Sequence, residues 1–303
     1  MEFCYPKLSK WDFLYFRLGG PGLGNLLFPW ARAKLLARQH GYQFVPPTWP
    51  QLKLGPLMRG EIDNRSYFSL FRALPTEITG LRRLLTLLFR NRVPEQMLAR
   101  AVQGDVIETS GLGQLFEGLL DHSKYLREEL MAMLVVNRVP QLERACDGAA
   151  SIAVHVRYGD FSEVDQQLSK GGGANRRQPI EWYVAAVEAI RKYLGENTQV
   201  NVFSDAEDRE LAPLLALYKV RRVQGNNAIE DILLISNHKV LIASGSTFSM
   251  WASFLGQVPT IWFPGQMKFR LVKKSGHETE YEPGDDVRPF CSCIAQASER
   301  GGE

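Results

Sequence analysis

At about one domain per 150 residues, the 303-residue chain divides into two compact units, and either half is long enough to bury a core. Apolar residues at 45% and charged residues at 23% exclude disordered, collagen-like and disulfide-built chains. With 36 Lys and Arg against 33 Asp and Glu, the net charge of +3 argues against a nucleic-acid partner but leaves room for a local basic pocket around a small anion.

Residues 1–10 hold Cys4, Pro6 and two lysines where a signal peptide would need an apolar run, so the chain is expected to stay in the cytoplasm. The most apolar stretch, 240–263, is interrupted by Ser244, Gly245, Ser246, Thr247, Ser249 and Pro259, which reads as strand, turn and helix and not as a membrane span. Cysteines at 4, 146, 291 and 293 have neither redox nor zinc spacing and read as reduced thiols.

In chain order, 13–18 predicts a strand, 19–24 a glycine-rich turn and 25–40 a helix that Gly41 ends. Residues 42–45 predict a second strand, broken by Pro46 and Pro47. From there to about 139 the pattern is mostly helical and irregular. Within it, 81–93 (LRRLLTLLFRNRV) is basic and amphipathic, as suits a helix packed on its own domain, the favoured reading, or one lying on a membrane surface.

A composition change at 146–150 places the domain boundary there, giving units 1–147 and 148–285 and a mobile tail at 286–303. Strands are expected at 151–157, 199–204, 219–223, 239–243 and 260–263, alternating with helices at 180–194, 207–217, 228–237 and 247–255. This βαβ repetition implies a parallel sheet covered on both faces, with ligands bound at the carboxyl ends of its strands.

Four constellations lie at such positions. Gly22, Gly24 and Asn25 close a glycine turn at a helix start, where backbone N–H groups approach an anion; a tight turn without ligand fits equally. A dinucleotide fingerprint is disfavoured, because Asn25 stands at its third glycine and no acid ends the second strand. His155 and Arg157 share one strand face by the period of two, bringing an imidazole beside a permanently charged fork that can clamp phosphate oxygens. An Arg157–Asp160 ion pair is the simpler alternative. Asp205 ends the next strand, placed to accept two adjacent N–H groups such as those of guanine, or to cap the following helix. Ser244, Ser246, Thr247, Phe248 and Ser249 join a strand to a helix and offer hydroxyls and N–H groups to an anion.

P-loop, zincin and nucleophile-elbow signatures are absent. The nearest approach to a metal-holding D-x-D is Glu61-Ile62-Asp63, so a diphosphate site without metal, neutralised by Arg and N–H groups, fits better.

These motifs resemble those of the α-1,2-fucosyltransferases: GGPGLGNLLFPWARA at 19–33, VHVRYGDF at 154–161, VFSD at 202–205 and EDILLISNHKVLIASGSTFSMWASFL at 230–255, in the same order along most of the chain. The chain departs from the family pattern at Tyr158, Leu26, Ala206 and Met250-Trp251, and Pro21 is an insertion in the glycine turn. The resemblance implies an α/β, GT-B-like fold with two Rossmann-like domains and the donor held mainly by the C-terminal one. It implies inverting, metal-independent transfer of fucose from GDP-fucose to a galactose-terminated glycan, α-1,2 linked, with no cofactor. Arg157 would stabilise the departing diphosphate and His155 would sit beside the nucleotide. Asp205 would face guanine, and Ser246, Thr247, Phe248 and Ser249 would line phosphates and fucose. Gly22, Gly24 and Asn25 would reach the transferred sugar. Asp160, Glu61 and Asp63 are the candidate general bases, and 162–178 looks like a lid. The alternatives are another nucleotide-linked sugar on the same fold, or a sugar-nucleotide or glycan-binding protein without catalysis. Peripheral contact with the inner face of a membrane is a further expectation.

Overall fold

The computed structural model describes residues 2–52, 66–68, 70–136, 140, 141, 144, 151–159, 177–223 and 227–299, with side chains of the last helix described as far as Ile294. The chain forms two compact units, Met1–Asn137 and Arg138–Glu303. The boundary expected at 146–150 lies outside the described residues.

In the first unit, β1 (Phe3–Lys7) is followed by the short strands β2 (Trp11–Asp12) and β3 (Arg17–Leu18) before α1 (Leu23–His40). Then come β4 (Gln43–Phe44), β5 (Gln51–Leu52), α2 (Gly80–Phe89), β6 (Arg92–Pro94), β7 (Val106–Ser110) and α3 (Ser123–Met133). The main sheet has the order β4-β1-β7-β6, all parallel. Two elements correct the sequence expectation. The strand feeding α1 is Phe3–Lys7, whereas only Arg17–Leu18 of residues 13–18 is strand, in a small separate sheet. Pro6 argues from sequence against a central strand. Its ring nitrogen lies on the side that Cys4 turns to β4, and β4 pairs only as far as Cys4, so no ladder bond is lost. The region 47–139 also contains β7, a five-residue strand paired on both sides.

In the second unit, β8 (Ile152–Val156), α4 (Ile180–Leu194), β9 (Val200–Ser204), α5 (Asp208–Leu215) and β10 (Val220–Arg222) are followed by α6 (Ala228–Ile235) and β11 (Val240–Ala243). α7 (Thr247–Gly256), β12 (Thr260–Trp262), β13 (Glu278–Glu280) and α8 (Arg288–Glu299) complete it. The parallel sheet has the order β10-β9-β8-β11-β12-β13, the doubly wound 3-2-1-4-5-6 arrangement. β8 (IAVHV) and β11 (VLIA) are buried along their whole length, as continuous apolar strands covered on both faces should be. α4 buries Trp182, Tyr183, Ala186, Val187 and Ile190 against this sheet at helical spacing, and Gly195 terminates it at φ 103°. Elements β8 to β12 lie where the sequence periodicity places them. The stretch expected to be a mobile tail instead carries α8, because Phe290, Cys291 and Ile294 bury one helical face in the core under α4.

Candidate active site

The chain order reverses between β8 and β11, since β9 and β10 extend one way from β8 and β11 to β13 the other. At such a switch point the loops leaving the two strands diverge and open a crevice at their carboxyl ends. β8 leads directly to Arg157 and β11 to the Ser244–Ser249 cluster, so the pairing order brings together two motifs about ninety residues apart in sequence.

His155 is the last residue but one of β8. Its Nδ1 lies 2.6 Å from Ser249 Oγ and 3.0 Å from Ser244 Oγ. Ser244 Oγ also lies 3.0 Å from the hydroxyls of Ser246 and Ser249. Phe248 stacks on the imidazole, ring centres 4.7 Å apart and planes 21° from parallel. Burial is the main cause that lowers the His155 pKa to about 3; the Asp205 charge opposes the shift and the Arg157 charge adds to it. At neutral pH the ring is uncharged, and two hydroxyls converge on its Nδ1.

Ser246 is the N-cap of α7, its hydroxyl accepting from Ser249 N–H at 3.3 Å. Capping accounts for that one serine. Ser244 and Ser249, both fully buried, have their oxygens tied to His155, which holds the first turn of α7 and its positive dipole end against the end of β8.

Arg157 and Asp205 close adjacent parallel strands, and Arg157 Nη1 meets Asp205 Oδ2 at 2.5 Å. The other carboxylate oxygen, Oδ1, accepts Tyr158 N–H at 2.9 Å. A methyl group on Gly159 would stand 2.4 Å from Asp205 Oδ2, so this position tolerates only glycine while the carboxylate stays in place. Asp205 is not a helix cap: Glu207 caps α5 in a reciprocal box with Glu210. Arg177, expected in the lid, donates to Tyr158 O at 3.0 Å and pairs with Glu210 at 2.9 Å, with its guanidinium over the Tyr158 ring. Tyr158 in turn donates its hydroxyl to Gln178 O at 2.8 Å.

The structure thus gathers His155, Arg157, Asp205, Ser246, Phe248 and Ser249 around one switch point, with Thr247 on the first turn of α7. Gly159 and Tyr158 join them without having been singled out for a role, and Ser244, expected as part of the serine cluster, ties that cluster to His155. The sequence signal for Ser244 was its place as the first polar residue after a four-residue buried strand. Gly22, Gly24 and Asn25 lie in the first unit, where Gly22 caps α1 and accepts from Asn25 N–H at 3.0 Å. Asp160, Glu61 and Asp63 and most of 162–178 lie outside the described residues.

A fixed cation, hydroxyls and a helix N-terminus at the carboxyl ends of parallel strands form a place for a phosphorylated ligand. Residues 109–266, more than half of the 303, match glycosyl transferase family 11, and the chain belongs to that family. The O-antigen biosynthesis glycosyltransferase WbnK of Escherichia coli is 28% identical over 140 residues, covering 43% of this chain and 45% of the relative. The α-1,2-colitosyltransferase of Escherichia coli is 24% identical over 197 residues, 57% of this chain and 62% of the relative. The matched parts therefore span about half of these relatives' own lengths. Among solved structures, the Bradyrhizobium α-1,6-fucosyltransferase NodZ co-crystallized with GDP superposes with a TM-score of 0.50 at 15% identity, over 86% of this chain and 94% of that one. The fold is α/β and GT-B-like, as the resemblance implied.

Proposed function

We propose that the chain is an inverting glycosyltransferase that moves fucose from GDP-fucose to a hydroxyl of a galactose-terminated glycan, forming an α-1,2 linkage, without a metal. The observation that carries this reading is that Arg157 and the Ser244–Ser249 cluster follow the two paired strands of the switch point, with His155 of the Arg157 strand bonded to the serines, in a family 11 chain.

In the proposed reaction the acceptor hydroxyl oxygen attacks the anomeric carbon of fucose. The bond from that carbon to the β-phosphate oxygen breaks, and its electron pair leaves with GDP. Arg157 faces the charge that grows on the diphosphate, and the N-terminus of α7 adds its dipole. Asp205 holds the guanidinium in register. A guanine contact by Asp205 is compatible with this, since each carboxylate oxygen accepts more than one hydrogen bond. The acceptor proton goes to a carboxylate, for which Asp160 is the first to test. Gly22, Gly24 and Asn25 are assigned to the transferred sugar. Cytoplasmic placement belongs to the same proposal.

A second donor is favoured by one observation, the similarity to an enzyme named α-1,2-colitosyltransferase. Thermal-shift titration with GDP, GDP-fucose, GDP-colitose, GDP-mannose and UDP-sugars, each with and without EDTA, tests the donor. GDP-fucose should raise the melting temperature most, and EDTA should leave the shift intact. A larger shift with GDP-colitose would reassign the donor, and stabilisation by UDP-sugars alone would overturn the proposal.

A further inference from the structure

Helix α2 is mounted with its apolar side outward. Leu81, Leu85, Leu88 and Phe89 occupy one face at helical spacing, and they are 69%, 46%, 56% and 78% exposed. The side turned to the protein is anchored by a charged residue. Arg83 donates to Leu14 O at 2.6 Å, Pro46 O at 3.0 Å and Thr48 Oγ1 at 3.0 Å, beside buried Thr86 and Leu87. Packing on its own domain, the favoured sequence reading of 81–93, is therefore met by the side bearing Arg83, Thr86 and Leu87, the last in the core with Phe3 and Val106, and a second apolar face is left to the solvent.

The outward face is basic as well as apolar. Between Glu77 and Glu95 the sequence has no acidic residue, and of its four arginines Arg83 is turned to the protein and Arg92 pairs with Glu108, which leaves Arg82 and Arg90 for this face. Arg82 and Arg90 border the same open groove as Leu81, Leu85 and Phe89, with a volume of about 750 Å³. Arg90 donates to a neutral acceptor, Gly104 O at 3.0 Å, and lies over the Phe3 ring, so these contacts leave its charge uncancelled. Below α2, Arg83 ties the helix to the loop between β2 and β3, which exposes Phe13 at 47% and Tyr15 at 67%.

We propose that this face docks on an anionic phospholipid surface, with the leucines and Phe89 entering the headgroup boundary and Arg82 and Arg90 meeting lipid phosphates. A second copy of the chain fits worse. A two-fold contact would bring the face against itself, arginine near arginine. A neutral apolar partner would leave the charges without purpose. Such docking needs neither donor nor acceptor and stands apart from the transfer reaction.

Flotation of the full chain with vesicles tests it. The wild type should float with vesicles containing phosphatidylglycerol and not with phosphatidylcholine alone, and added salt should weaken the binding. Leu85→Glu and Phe89→Ser should each reduce binding by about tenfold or more, and Arg82→Gln by about fivefold. Melting temperature and GDP-induced stabilisation should stay unchanged in all three, because these side chains are exposed. Flotation of Leu85→Glu and Phe89→Ser at wild-type level would overturn the proposal, as would equal binding to both vesicle types. A wild-type dimer that Leu85→Glu converts to monomer, with no vesicle binding, would reassign the face to self-association.

Discussion

Arg157 and Asp205 stand on neighbouring parallel strands and meet at 2.5 Å, with Tyr158 N–H closing the other side of the same carboxylate. The pair holds a planar cation at the carboxyl edge of the sheet, just after the strand whose neutral imidazole is bonded to the serine cluster. Arg157→Ala should therefore lower kcat by about 100- to 1000-fold, the range seen when one preorganised donor to a developing charge is removed. Arg157→Lys should fall between, since it keeps charge and loses the fork. Steady-state release of GDP checks both, with melting temperature as the control for folding.

Gly159→Ala probes the same pair from the backbone. A methyl group 2.4 Å from Asp205 Oδ2 must displace the carboxylate, which frees the guanidinium to turn away. Expected are a loss of kcat of about tenfold or more, on the scale of a misplaced reacting geometry, and a similar loss for Asp205→Asn. The double variant should be little worse than either alone. Additive losses would mean that the two residues act separately.

Ser244→Ala removes the hydroxyl at the centre of the serine–histidine network and with it the contacts to His155, Ser246 and Ser249. It should destabilise the chain by about 1–3 kcal/mol. Ser246→Ala, which removes the cap of α7, should cost about 1 kcal/mol. Urea unfolding measures both.

Three imidazoles among the described residues, His155, His238 and His277, are buried, and burial is the main cause that lowers the pKa of each. Burial lowers the pKa of His155 from 6.5 to about 3 and that of His238 to about 4. Between 6.5 and those values the unfolded chain binds protons that the folded chain refuses, so the stabilisation is complete above 6.5 and is lost as pH falls toward 3. His155→Gln should flatten the wild-type slope in that window by up to about 1.4 kcal/mol per pH unit. Equal slopes for variant and wild type would show that His155 titrates alike in both states.

The second unit was legible because its strands are buried on both faces. Runs such as IAVHV and VLIA leave no other reading, and the polar residues that end them mark the carboxyl edge. The sequence did not reveal which strand ends become neighbours. Placing Arg157 beside Asp205, and His155 beside Ser249, depends on a pairing order that no local pattern encodes. Residues 13–18 misled for a related reason: the stretch is apolar and aromatic, yet Phe13, Tyr15 and Phe16 are exposed. Phe3–Lys7 was hidden by a proline whose missing donor matters only where a neighbouring strand continues. In 286–303, terminal charge and small residues concealed the apolar face of α8.

The most direct test of the account is the product formed from GDP-fucose and a galactose-terminated glycan in the presence of EDTA. The account predicts release of GDP together with a fucosyl group in α linkage on the 2-hydroxyl of galactose, read from the anomeric coupling and the linkage correlations of the purified product. Retention of the donor's β configuration, or turnover that appears only when a divalent metal is restored, would contradict it.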